Sequence, residues 1–220
     1  MPATKPQLQG VIFDMDGVLV DSETIICQAA CEMFKRKELV VKPEDFTEFI
    51  GTGEDRYLGG VASKYNFTLD IQAAKKETYD IFLEMIVGNL LPLPGVHDFI
   101  SKLKQRGLKI ALATSADRRK AIGNLTEINL PEATFDAVVT GEDVINKKPA
   151  PDIFLLAAKQ LNLSPSECLV IEDAITGVSA AKAAGALCLG LTTSFSKDQL
   201  CQADYISCDL SDVPQEAISW

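Results

Sequence analysis

The segment GVIFDMDGVLVDSE, residues 10–23, carries an apolar run straight into two aspartates two places apart, Asp14 and Asp16, and then into Gly17. GVIF is apolar throughout instead of alternating, the pattern of a strand buried on both faces of a parallel sheet. Two carboxylates at the end of such a strand have an ordinary use as turn and helix-cap residues. They acquire a chemical use if other strands deliver reactive groups to the same place.

Four more runs of this kind follow: KIALA at 109–113, DAVVT at 136–140, CLVI at 168–171 and ALCLGL at 186–191. Between them lie the helical patterns DRRKAIGNLTEINL, PDIFLLAAKQLNL and AITGVSAAKAAG, the last two closed by asparagine and glycine stop signals. This alternation predicts an α/β fold, a doubly wound Rossmann-like parallel sheet. The gap between the first and second strands is too long for one crossover helix. SETIICQAACEMFKRK opens with Ser22 as a cap, PEDFTEFI and EDRYLGGVASKYN read as short helices, and DIQAAKKETYDIFLEMIVGNL reads as a long amphipathic one. An inserted all-helical cap domain is therefore expected over 22–91, with 1–21 and 92–220 forming the core; LPLPG at 91–95 marks the return. The insert is expected to move as a lid, its two connections serving as hinges.

Composition narrows the partners. The 220 residues carry 31 acidic and 21 basic side chains, a formal net charge of −10, and no lysine and arginine stripe that could track a nucleic-acid backbone. No apolar run approaches the roughly 20 residues needed to span a bilayer. MPATKPQLQG has the look of neither a signal nor a transit peptide, so a cytoplasmic monomer is expected, or a stromal one if a plastid leader has been removed. The six cysteines include no Cys-x-x-Cys; Cys168 and Cys188 fall in strand-like runs, where a thiol behaves as a small hydrophobe. Cys27 and Cys31 share a helical face, but the only histidine, His97, lies far along the chain in a helix-like polar stretch, too little for a soft-metal site.

In an open parallel sheet, ligands bind outside the carboxyl ends of the strands. Here those ends deliver Asp14 and Asp16, then Thr114 and Ser115, then Glu172 and Asp173, while GEDVINKKPAP leads to Lys147 and Lys148. The set suits phosphoryl transfer through an aspartate. Carboxylates from separate strands form a hard oxygen cage for Mg2+, which offsets repulsion between phosphate and carboxylate. A carboxylate there can attack phosphorus to give an acyl phosphate, and its neighbour two positions on can act as general acid and then base. Gly17 leaves room for backbone amides, and the Thr114 hydroxyl and Lys148 ammonium are further donors to the transferring group.

FDMDGVLVDSE, LATSADR, KKPAPDIF and VIEDAITGVSAAKAAG resemble, in order, the four signature motifs of the haloacid dehalogenase superfamily, and the resemblance covers essentially the whole chain. The position of the helical insert is similar to that of the cap in the beta-phosphoglucomutase-like, or CbbY-like, branch. FIGTGEDRYLGGVASKYN resembles the cap segment of plant and algal members and, more distantly, of xylulose bisphosphate phosphatases. The resemblance implies Asp14 as nucleophile and Asp16 as acid/base. It also implies Thr114 on the phosphate, Lys148 between nucleophile and phosphate, and magnesium at Asp14, Asp16 (through its carbonyl), Glu172 and Asp173. Lys148 is the match because it directly precedes Pro149; Lys147 is expected in solvent. Phosphate contacts are expected from Gly17, Ser115, Ala116 and Arg118, and GTGEDR is expected to turn into a helix that points Glu54 or Arg56 at the leaving group.

The expected activity is that of a magnesium-dependent phosphatase acting on a small phosphorylated sugar or polyol. Dehalogenases of the superfamily need no metal and lack the second aspartate, so Asp16 and Asp173 argue against that reaction. Two alternatives stand beside it: a sugar phosphomutase, and a regulatory domain with little turnover. Against the mutase, Ile26 stands where the beta-phosphoglucomutases have a cap histidine, and Asp117 would repel a second phosphate unless Arg118 offsets it.

Overall fold

The computed structural model describes residues 7–49 and 53–220. Its sheet holds six strands: β1 (Gly10–Phe13), β2 (Lys109–Ala113), β3 (Ala137–Val139), β4 (Cys168–Glu172), β5 (Leu187–Leu191) and β6 (Tyr205–Ser207). They are parallel throughout and ordered β3-β2-β1-β4-β5-β6, the doubly wound order in which the direction of winding reverses beside β1. The first five strands fall on the five apolar runs. β6 has no such run in the sequence, being three residues at the sheet edge, with Tyr205 and Ile206 only half-buried.

Side chains alternate between two apolar layers. Val11 and Phe13 of β1, with Leu169 and Ile171 of β4, face α4 (Val96–Gln105) and α5 (Arg118–Glu127). Ile12, Cys168, Val170 and Cys188 face α6 (Asp152–Gln160) and α7 (Ile175–Ala184). Phe13 meets the ring of Phe99 edge-on at 6.2 Å. Cys168 and Cys188 are fully buried and unpaired, as small hydrophobes. Gly185 ends α7 in the left-handed region, as its stop signal requires. His97 is exposed on α4.

Between β1 and α4 lie α1 (Glu23–Arg36), α2 (Glu54–Lys64) and α3 (Ile71–Ile86). Phe34, Phe46, Leu58 and Phe82 fill the space among them. Asp70 caps α3 by accepting from the Ala73 amide at 3.1 Å. The short helix expected over PEDFTEFI is a 3-10 helix, Pro43–Phe49; Ile50, the last residue of that stretch, lies outside the described residues, as do residues 51 and 52 of the expected turn before α2. One expectation changes. Ser22 sits at the N-cap of α1 without capping it: its backbone is helical (φ −102°, ψ −1°) instead of extended, and its hydroxyl oxygen accepts from Asn124 while donating to Asp16.

The chain leaves the core through a tight turn in which the Met15 carbonyl accepts from the amides of Leu19 (2.8 Å) and Val20 (3.1 Å). It returns alongside: the Leu93 amide donates to the Leu19 carbonyl at 2.9 Å, and Val20 bridges Pro92. Farther out, α3 packs on α5, where Lys75 pairs with Asp117 at 2.9 Å and Arg119 with Asp80. No helix among the described residues is long and apolar enough to cross a membrane.

Candidate active site

Strand register puts the carboxylates together. Phe13 is paired with Ile171, so the next residues along β1 and β4, Asp14 and Glu172, leave the sheet side by side, and the Asp14 amide donates to the Ile171 carbonyl at 3.0 Å. Asp173 follows at once. One oxygen from each of Asp14, Glu172 and Asp173 lies within 4.8 Å of the others, and all three residues are buried. β2 brings Thr114, 2 % exposed, to the same edge, where its Oγ1 accepts from the Ala116 amide at 3.1 Å and keeps its own hydrogen to donate. From the loop before α6, the Lys148 ammonium reaches Asp14 at 2.5 Å and Glu172 at 2.6 Å.

Backbone geometry tightens this arrangement. Gly17 has φ +76°, and a Cβ there would run into the Asp173 carboxylate; a Cβ at Gly177 in α7 would run into that of Glu172. Beyond admitting backbone amides, Gly17 has a second, independent requirement for glycine in the close approach of Asp173. Glu172 also accepts from the amides of Asp173 (2.9 Å) and Ala174 (3.0 Å).

Crowding three carboxylates around one ammonium shifts their protonation. Burial pushes Asp14 up to about 7 against the pull of Lys148. Burial, with Glu172 and Asp14 nearby, pushes Asp173 up to about 8. Burial works against the charge of Lys148, yet Asp14 and Glu172 outweigh it and hold the ammonium above its ordinary range. A buried set of carboxylate oxygens with one cation between them fits a hard divalent ion, which would supply the missing positive charge.

Asp16 occupies different surroundings. One carboxylate oxygen accepts from the Ser22 hydroxyl and the other from Lys120 at 2.8 Å. Asn124 donates to Ser22 at 3.3 Å behind it. Lys120 is 3 % exposed, lies 3.9 Å from Glu23, and is held above the ordinary lysine range by Asp16 and Glu23, which outweigh the cost of its burial. The Asp16 side chain therefore stands apart from the three-carboxylate cluster.

A cavity of about 160 Å³ joins these groups. Asp14, Asp16, Gly17, Thr114, Ser115, Ala116, Lys148, Glu172, Asp173 and Glu54 all border it. Arg56 and Arg118 do not: Arg56 is exposed on α2, and the guanidinium of Arg118 turns outward to Glu132. Lys147 is exposed and donates to the Gly141 carbonyl, away from the cluster.

Sequence reasoning missed Lys120, Glu23 and the loop after β5. In that loop Thr193 donates to the Gly17 carbonyl at 2.6 Å, and Ser194 lies beside Asp173 and draws its pKa down. A hydroxyl run directly after the fifth strand, TTS at 192–194, was the available signal.

The family model for haloacid dehalogenase-like hydrolases matches residues 11–191. The Arabidopsis thaliana protein Suppressor of Quenching 1, chloroplastic, is 43% identical over 194 residues, which are 87% of this chain and 18% of that protein. A phosphorylated carbohydrates phosphatase of Thermotoga maritima is 33% identical over 182 residues, 81% of this chain and 82% of that one. The crystal structure of CbbY from Rhodobacter sphaeroides in complex with phosphate superposes with a TM-score of 0.85 at 24% identity, covering 96% of this chain and 99% of that one, a likeness of fold.

Proposed function

The chain belongs to the haloacid dehalogenase-like hydrolase family, and from that premise we propose that it is a magnesium-dependent phosphatase that passes the phosphoryl group of a small sugar or polyol phosphate to Asp14 and then to water. The observation that carries this reading is the meeting of Asp14, Glu172 and Asp173 with Lys148 and Thr114 at one cavity. The family's relatives named as phosphatases, among them one for phosphorylated carbohydrates, favour a small phosphate ester.

Asp14, Glu172, Asp173 and the Asp16 carbonyl would hold magnesium, which would neutralise the charge of a phosphate arriving among carboxylates. Asp14 attacks phosphorus, and the ester bond breaks as the acyl phosphate forms. Asp16 gives a proton to the departing oxygen and then takes one from the water that cleaves the intermediate. To do so it exchanges its bond to Ser22 or to Lys120 for one to the leaving group. Lys148 and Thr114 donate to the equatorial oxygens, where negative charge accumulates.

The insert, 22–91, serves as a cap domain over the core formed by 1–21 and 92–220, and its movement admits substrate and releases product. Ile26 is buried at the cavity and has no polar atom with which to handle a second phosphate, which favours hydrolysis over mutase chemistry. Likeness to a chloroplastic plant protein supports a plastid setting. Phosphate release from p-nitrophenyl phosphate in magnesium, lost in EDTA and in Asp14→Asn, is the expected result; turnover retained by Asp14→Asn would remove the covalent reading.

A further inference from the structure

The part of the cavity contributed by the insert and its approach is acidic on one side and apolar on the other. Asp21, Glu23 and Glu54 supply the carboxylates; Ile26, Phe49 and Tyr57 supply the apolar wall. Two ammonium groups border the cavity, and both are engaged. Lys148 is held between Asp14 and Glu172, and Lys120, 3 % exposed, is held by Asp16 at 2.8 Å with Glu23 at 3.9 Å. No guanidinium borders it among the described residues: Arg118 pairs with Glu132, Arg119 with Asp80, and Arg56 is exposed. Ile50, Gly51 and Thr52 add no cation by sequence.

A second phosphate or a carboxylate on the substrate would enter this region without a cation to receive it and would face carboxylates, a juxtaposition that excludes partners. Hydroxyl or ammonium groups suit it: a carboxylate oxygen accepts hydrogen bonds, and an ammonium also supplies the positive charge that keeps Glu23 and Glu54 ionised against their burial, which pushes Glu23 up to about 7 and Glu54 up as well. The aliphatic and aromatic wall suits the carbon face of a polyol. A volume of about 160 Å³ falls short of the roughly 300–1,000 Å³ clefts that hold drug-sized ligands, so the leaving group is small.

We propose that this phosphatase selects monophosphate esters whose leaving group is an uncharged or amine-bearing polyol, and that Glu54 with Glu23 rejects bisphosphates and phosphorylated acids. The assignment rests on the phosphatase reading and adds the charge of the leaving group to it.

Matched pairs test it: glycerol 3-phosphate against 3-phosphoglycerate, fructose 6-phosphate against fructose 1,6-bisphosphate, and glucosamine 6-phosphate against 6-phosphogluconate, each assayed in magnesium for released phosphate. The expected kcat/KM favours the uncharged or amine-bearing member by about tenfold or more, the effect of one like charge at close range. Glu54→Lys should reverse or erase that preference, and Glu54→Gln should reduce it, with thermal melts of both variants reporting the fold. Anionic members turned over as well as their partners, no turnover of any pair, or ratios unmoved in both folded variants would overturn the assignment. p-Nitrophenyl phosphate separates the two failures: if it is hydrolysed while the pairs behave otherwise, only the selection is wrong, and if it is untouched the phosphatase reading falls as well.

Discussion

Replacing Lys148 by methionine keeps most of the stem, which lies over the Phe154 ring with the ammonium 4.9 Å from its centroid, and removes the charge that touches Asp14 at 2.5 Å and Glu172 at 2.6 Å. The lysine side chain is 6 % exposed, so water cannot take its place cheaply. Removing one partner of a buried ion pair costs about 3–5 kcal/mol. The lower end applies at neutral pH, because burial already pushes Asp14 up to about 7 and protonation relieves part of the repulsion. For a chain of this size each kcal/mol moves the melting temperature by about 2–4 °C, so Lys148→Met should melt roughly 6–12 °C below wild type in EDTA. Magnesium should shrink that gap, since a divalent cation among the same oxygens restores positive charge. Thermal unfolding at pH 7 in EDTA and in magnesium reads both effects. A melting temperature within about 2 °C of wild type in EDTA would refute the idea that the ammonium holds the carboxylates together.

Three further outcomes follow from the same geometry. Asp16→Asn should lower turnover by about two to four powers of ten, the usual worth of general acid–base catalysis, while its melting temperature still rises with magnesium; wild-type turnover would mean another group protonates the leaving oxygen. Gly17→Ala forces a side chain onto φ +76° and into the Asp173 carboxylate, which should cost about 1–3 kcal/mol and weaken magnesium binding in a calorimetric titration; unchanged affinity would show that Asp173 does not need that contact. In EDTA, wild-type stability should fall as pH rises from about 4 to about 8. An aspartate ordinarily loses its proton near 3.8, but Asp14 and Asp173 keep theirs in the fold until about 7 and about 8, so the folded chain holds more protons than the unfolded one across that window. Magnesium should flatten the fall, and a melting temperature that climbs with pH in EDTA would contradict the sign.

The core was legible because its central strands are buried on both faces, which makes GVIF, CLVI and the IALA that follows Lys109 apolar at every position instead of every second one. Asp14, Glu172 and Asp173 were legible for a related reason. They stand where those runs stop, and the pairing of Phe13 with Ile171 brings them side by side. β6 escaped because Tyr205–Ser207 is three residues long at the sheet edge, too short for any periodicity. Ser22 showed the pattern of a helix cap, yet its backbone is already helical and its hydroxyl oxygen accepts from Asn124 instead of from an amide of α1. Lys120 was invisible in RRKAIGN, since a helical lysine is ordinarily solvated and this one is buried only where α1 and the first turn after β1 meet α5. Arg118 went the opposite way: its backbone amide donates to the exposed Glu142 and its guanidinium swings out to Glu132, both away from the cavity.

The phosphoryl acceptor itself can be caught. Enzyme turning over p-nitrophenyl phosphate in magnesium is quenched in acid, where an acyl phosphate survives, reduced with borohydride, digested and sequenced by mass spectrometry. Reduction of an aspartyl phosphate leaves homoserine, so the account predicts homoserine at position 14, present during turnover and missing in its absence. Phosphate release with an unreduced Asp14, or with the mark on any other residue, would contradict it.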